Sequence, residues 1–167
     1  IEAVGWSQVN GVSTWDIPDH FAAGWLKTSA LLGHPGNTVL DGHHNIAGEV
    51  FRHLVDLKAG NVIEVYSGAK RVVYQVTALH ILPDRDQPLE VRQKNAEWIQ
   101  PTLDERLTLV TCWPYTSLDS ACFDAAPCGW SRSGASMACN RTRTMPDCRR
   151  MSAVNFLARF ARTAAGR

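Results

Sequence analysis

Long apolar runs are missing from this chain: nowhere in its 167 residues do 18 consecutive apolar residues occur, which excludes a transmembrane helix within the sequence given. The start, at Ile1, shows no basic, apolar and small-residue succession of the signal-peptide kind. A charge excess is missing too. The formal net charge of +1 gives no reason to invoke nucleic acid. Cys-x-x-Cys pairs and the His-Glu-x-x-His pattern are absent, and with them the commonest zinc signatures. What remains, at 45% hydrophobic content, is enough to bury the core of one compact domain without requiring a second.

The scarcities are unevenly spread. Residues 1 to 117 hold 9 basic and 13 acidic side chains and a single cysteine, whereas residues 118 to 167 hold 8 and 3 and four cysteines. That second segment has no Ile, Lys, Glu or His and only one Val, against ten Ala. The chain therefore divides into a domain over 1–117 and an Ala/Arg/Cys-rich tail over 118–167, read as frame-shifted or disordered.

Within the first part the pattern is mainly β. Short strands are expected around Thr38 to Leu40, Val62 to Tyr66, Arg71 to Leu82 and Leu107 to Cys112. In the third, alternation puts Val72, Tyr74, Val76, Ala78 and His80 on one face, with Val73, Gln75, Thr77 and Leu79 on the other. Lys58-Ala-Gly-Asn61 and Ser67-Gly-Ala-Lys70 supply turns, the second closing a hairpin. Helical spacing predicts short connectors over Ala47 to Leu57 and Leu89 to Ile99.

Chemistry concentrates at two strand ends. The run Thr108-Leu-Val-Thr-Cys-Trp-Pro114 ends on Cys112, and Asn37-Thr-Val-Leu-Asp-Gly-His-His-Asn45 ends on Gly-His. A thiol is mostly protonated at neutral pH and only its thiolate attacks a carbonyl well, so a nucleophilic cysteine needs an imidazole nearby. The competing reading is that Cys112 is a small buried hydrophobe. A cysteine hydrolase of another kind would place its nucleophile at a helix N-terminus and orient the histidine with Asn or Asp, and this sequence does not favour it. His43 and His44 are poor joint metal ligands, because neighbours in an extended segment point to opposite faces. Asp41 suits either orientation of an imidazole or a strand-end solvent contact. His34, His53 and His80 read as structural or solvated, and Trp15, Trp25, Trp98 and Trp113 as core or groove aromatics.

Two blocks in this order, Gly36-Asn-Thr-Val-Leu-Asp-Gly-His-His-Asn-Ile-Ala-Gly-Glu-Val-Phe51 and Leu107-Thr-Leu-Val-Thr-Cys-Trp-Pro114, resemble the histidine and cysteine blocks of the sortases, of the class D or E kind. The resemblance runs from about Trp15 to Ser117. It implies a closed β-barrel of about eight strands with short peripheral helices. It also implies a catalytic His43 and Cys112, and a substrate groove involving Thr111, Trp113 and Trp98. The implied activity is a cysteine transpeptidase that cleaves a Leu-Pro-x-Thr-Gly-like sorting signal through a thioester and passes it to an amine of a cell-wall precursor or a pilin lysine. No cofactor or metal is implied. The implied location is the outer face of the membrane, reached through an N-terminal anchor outside this sequence.

The family's third catalytic residue is an arginine on the strand after the cysteine strand. No arginine stands between Arg106 and Arg132, and Leu118-Asp-Ser-Ala-Cys-Phe-Asp-Ala-Ala-Pro-Cys-Gly129 does not read as a strand. The last strand is therefore expected to be missing or replaced, with Arg132, Arg141 and Arg143 as candidate substitutes. A relative that only binds sorting-signal peptides is the alternative function. For the tail, a shifted reading frame is favoured over a divergent extension and over a metal site of Cys122, Cys128, Cys139 and Cys148, whose wide spacing weighs against it. Alternatively, five cysteines could form two disulfides and leave one thiol.

Overall fold

The computed structural model describes residues 1–9, 12–83, 87–113 and 154–163. Its strands are β1 (Glu2–Val4), β2 (Trp6–Val9), β3 (Val12–Trp15), β4 (Gly24–Leu26), β5 (Gly36–Asp41), β6 (Val62–Ser67), β7 (Lys70–Pro83), β8 (Glu105–Trp113) and β9 (Val154–Arg162). One α-helix, α1 (Leu89–Ala96), runs into a 3-10 turn at Glu97–Ile99. Seven strands make one curled half-barrel sheet in the order β1-β4-β5-β8-β9-β7-β6, and β2 and β3 form a separate ribbon. The mainly β architecture follows the sequence reading.

The centre of the sheet is where burial is most continuous. All six residues of β5 are buried, as are Leu107 through Thr111 of β8. Such strands are covered on both faces, and the polar Asn37, Thr38, Asp41, Thr108 and Thr111 are buried with the aliphatic residues between them. One face of the sheet carries Leu40, Val72, Tyr74, Val76, Leu107, Leu109, Ala158 and Phe160, and the other carries Val39 and Val110 with Val4, Trp15 and Leu26.

Three expectations are resolved here. Of the two alternatives for the last strand, missing or replaced, replacement holds, because β9 from the atypical tail pairs antiparallel with both β7 and β8. Ala158 and Phe160 are fully buried at 0% exposure, so this segment closes the core despite its poor β-propensity. Second, β7 does not alternate throughout. A register shift between Val76 and Ala78 moves Leu79 onto the face of Val72 and Tyr74, so His80 and Leu82 stand on the opposite one. Third, Ala47 to Leu57 is not a helix. Ala47, Gly48 and Glu49 hold φ of 51°, 85° and 57°, which no right-handed helix admits, and only Leu54–Asp56 forms a 3-10 turn.

The connection from β7 to β8 lies over the Val39–Val110 face, with Ala96, Trp98 and Ile99 packed against it. Asn37, 2% exposed, pins it from below: its Nδ2 donates to the carbonyls of Trp98 and Gln100 at 3.2 and 3.1 Å. Its Oδ1 accepts from Thr108 Oγ1 at 2.7 Å. At the other end, Asn95 Nδ2 donates to the Pro83 carbonyl at 2.5 Å.

Candidate active site

β5 and β8 run parallel, so their C-terminal ends reach the same rim. The last ladder pair is Asp41 with Val110, and the contact extends one residue further, with Gly42 N–H donating to the Val110 carbonyl at 3.2 Å. Thr111 Oγ1 then donates to the Gly42 carbonyl at 2.8 Å. This clasp brings the next residue of each chain, His43 and Cys112, to neighbouring positions at the rim. Gly42 is required by packing, since a Cβ there would lie 2.6 Å from Val50 Cγ1 and 2.8 Å from Phe51 Cδ2. Beyond it, the His43 carbonyl accepts from Phe51 N–H at 3.0 Å, which folds the Gly48–Phe51 segment back beside the histidine.

His43 is half-buried. Burial pushes its imidazole below the ordinary 6.5, and the charge of Asp19 pulls the other way. A half-buried imidazole of lowered pKa is neutral at pH 7 and able to take a proton from a neighbouring thiol. Asp41 is 4% exposed, within the sheet between Gly24 and Val110, which removes the solvent-contact reading. Asp19, which the sequence did not single out, is held by His20 at 3.2 Å, and His20 in turn bonds Glu2 at 2.8 Å. Phe21 lies against Gly48, so this loop borders the segment that follows His43.

Cys112 is half-buried at the end of β8. Its neighbours point the other way. Thr111 is 1% exposed and committed to the Gly42 clasp, while Trp113 packs on the Leu107–Leu109 core and meets the His44 ring edge-on at 4.9 Å. Trp98 lies over the Val39–Val110 face, which by strand parity is the face of Cys112.

The register of β9 bears on the arginine. Asn155 stands opposite Cys112, and the arginine on this strand that shares the parity of Cys112 is Arg159, opposite Thr108. Four residues of strand separate the two positions, about 13 Å at roughly 3.3 Å per residue. Arg159 is also engaged elsewhere, donating from Nη2 to the Trp98 carbonyl at 3.1 Å. Arg132, Arg141 and Arg143 lie outside the described residues, as do Cys122, Cys128, Cys139 and Cys148. Among the described residues no group of three or more His, Cys, Asp or Glu side chains could hold a metal ion. His53 bonds Asp56 at the surface at 3.0 Å, and His80 stacks on Trp98.

The family model of the sortase domain matches residues 1–122. Sortase SrtE1 of Streptomyces coelicolor is 31% identical over 111 residues, which is 62% of this chain and 31% of that protein. The chain thus spans about a third of that relative's length. Sortase C-1 of Actinomyces oris superposes with a TM-score of 0.54 at 19% identity, over 84% of this chain and 58% of that one. Sortase A of Corynebacterium diphtheriae gives 0.53 at 19% identity, over 84% and 47%. These likenesses establish the half-barrel fold.

Proposed function

Since the chain belongs to the sortase family, whose members are cysteine transpeptidases acting at the cell surface, we propose that Cys112 is its nucleophile and His43 its acid and base, acting on a Leu-Pro-x-Thr-Gly-like sorting signal. The observation that carries this reading is the Thr111–Gly42 clasp, which ties the two strand ends so that a thiol and a half-buried imidazole leave one rim side by side. His43 takes the thiol proton and the thiolate adds to the carbonyl carbon of the threonine. The C–N bond then breaks, and the imidazolium returns the proton to the leaving amine. An incoming amine, from a cell-wall precursor or a pilin lysine, loses a proton to His43 as it opens the thioester. Trp98 would border the peptide on the Cys112 face and Thr111 through its backbone, while Trp113, packed on the opposite face, would reach it only at the rim beside His44. No helix among the described residues is long and apolar enough to cross a membrane.

A second reading has its own support. With Asn155 opposite Cys112 and Arg159 far along the strand, no described arginine is opposite the thiol to receive the developing oxyanion. Loss of one such donor costs on the order of a hundredfold to a thousandfold in rate, enough to leave a protein that binds sorting-signal peptides and turns them over slowly. Incubation with a labelled sorting-signal peptide and triglycine separates the two. A triglycine-linked product dependent on both Cys112 and His43 supports the transpeptidase, whereas saturable peptide binding without product supports the binder.

A further inference from the structure

Trp98 is held by three strands at once. From β5, Asn37 Nδ2 donates to its carbonyl at 3.2 Å. From β9, Arg159 Nη2 donates to the same carbonyl at 3.1 Å while the guanidinium carbon lies 4.5 Å from the centre of the indole. From β7, the His80 ring stacks on the indole with centroids 3.8 Å apart and planes at 39°. Only the β7 bulge brings His80 to this face. The guanidinium is suited to the task because a planar group can stack and donate in its own plane together. Among the described residues Arg159 Nε and His80 Nε2 are buried without a hydrogen-bond partner.

The charges are consistent with a single cation on the ring. Burial and the Arg159 charge push His80 below its ordinary value and keep it neutral, while burial and Arg106 act on Arg159 against the pull of Asp104. Trp98 in turn ends the α1 connection that overlies the Cys112 face.

We propose that Arg159 is a positioning residue which, through Trp98, fixes the Pro88 to Pro101 segment as the wall of the peptide groove, setting affinity for the sorting signal while leaving the chemistry at Cys112 untouched. The proposal rests on the sorting-signal reading above, in either its catalytic or its binding form. It also separates Arg159 from the family's arginine, whose work lies at the thiol.

The test measures sorting-signal peptide affinity by calorimetry in the Cys112→Ala protein, alone and with Arg159→Met, Arg159→Lys or Trp98→Leu added. Arg159→Met is expected to weaken binding about tenfold, with Arg159→Lys recovering part of the loss. In the Trp98→Leu background Arg159→Met should have no further effect, because its action passes through the indole. Amide exchange across 88–101 should accelerate in Arg159→Met with that of β5 unchanged, and alkylation of Cys112 by iodoacetamide in the Arg159→Met single variant should keep the parent rate. Unchanged affinity, an additive loss in the Trp98→Leu background, or slowed alkylation would each overturn the assignment. Failure of the Cys112→Ala protein itself to bind any sorting-signal peptide would instead defeat the functional reading, and this one with it.

Discussion

At the scale of single residues, the site depends on groups that allow two strand ends to approach. At Gly42 a side chain has no free space, and Gly42→Ala should cost about 1–3 kcal/mol, read from urea unfolding, because the new methyl must displace Val50 and the Phe51 ring. The imidazoles set the pH response. His43 and His80 both titrate below 6.5 when folded, so as pH falls through about 6.5 the unfolded chain binds protons that the folded chain does not. Stability from these two groups is full above that pH and declines below it. Urea midpoints at pH 7.5 and 5.5 should therefore differ less in a His43→Gln/His80→Gln double variant than in the parent. The positions of His43 and Cys112 at the ends of neighbouring strands were legible in the sequence, because both residues close β-type segments. Asp19 was not, since its effect on His43 arises across a loop contact that no local pattern encodes.

At the scale of elements, the central strands announced themselves and the last one did not. β5 and β8 each carry an adjacent aliphatic pair, Val39-Leu40 and Leu109-Val110, but Val154-Asn-Phe-Leu-Ala-Arg-Phe-Ala-Arg162 is diluted by Ala, Asn and Arg, and its Phe156, Ala158, Phe160 alternation is easily passed over. What makes it a strand is tertiary: two partners supply hydrogen bonds on both edges, and the core accepts Ala158 and Phe160. The β7 bulge was equally hidden, because period-two reading has no means of counting an extra residue. Asn37, to which the sequence reading gave no role, is the buried link between Thr108 and the Trp98 connection. Asn37→Ala should cost about 2–4 kcal/mol in denaturant unfolding, since it strands a buried hydroxyl and two carbonyls. Because Asn155 is the register partner of Cys112, Asn155→Arg should raise the rate of thioester formation by about tenfold or more, measured by quenched-flow mass spectrometry. An unchanged or lower rate would mean that this register position does not serve the oxyanion.

At the scale of the whole molecule, the half-barrel is held by one segment distant in sequence from the rest, since β9 lies between β7 and β8 and is paired along both sides. Truncation before Val154 would leave two internal strands with unpaired edges and open the Phe160 core, so the shortened protein should be largely insoluble or unfolded by circular dichroism. A soluble, folded truncation would mean that β7 and β8 can pair without it. The central claim remains chemical: a thiol and an imidazole at one rim of this half-barrel form an acyl-enzyme. Intact-protein mass spectrometry after incubation with sorting-signal peptides tests it most directly. An added mass equal to the peptide's acyl portion, present in the parent and absent in Cys112→Ala, is the predicted result. No adduct across the panel, with Cys112 still open to alkylation by iodoacetamide, would contradict it.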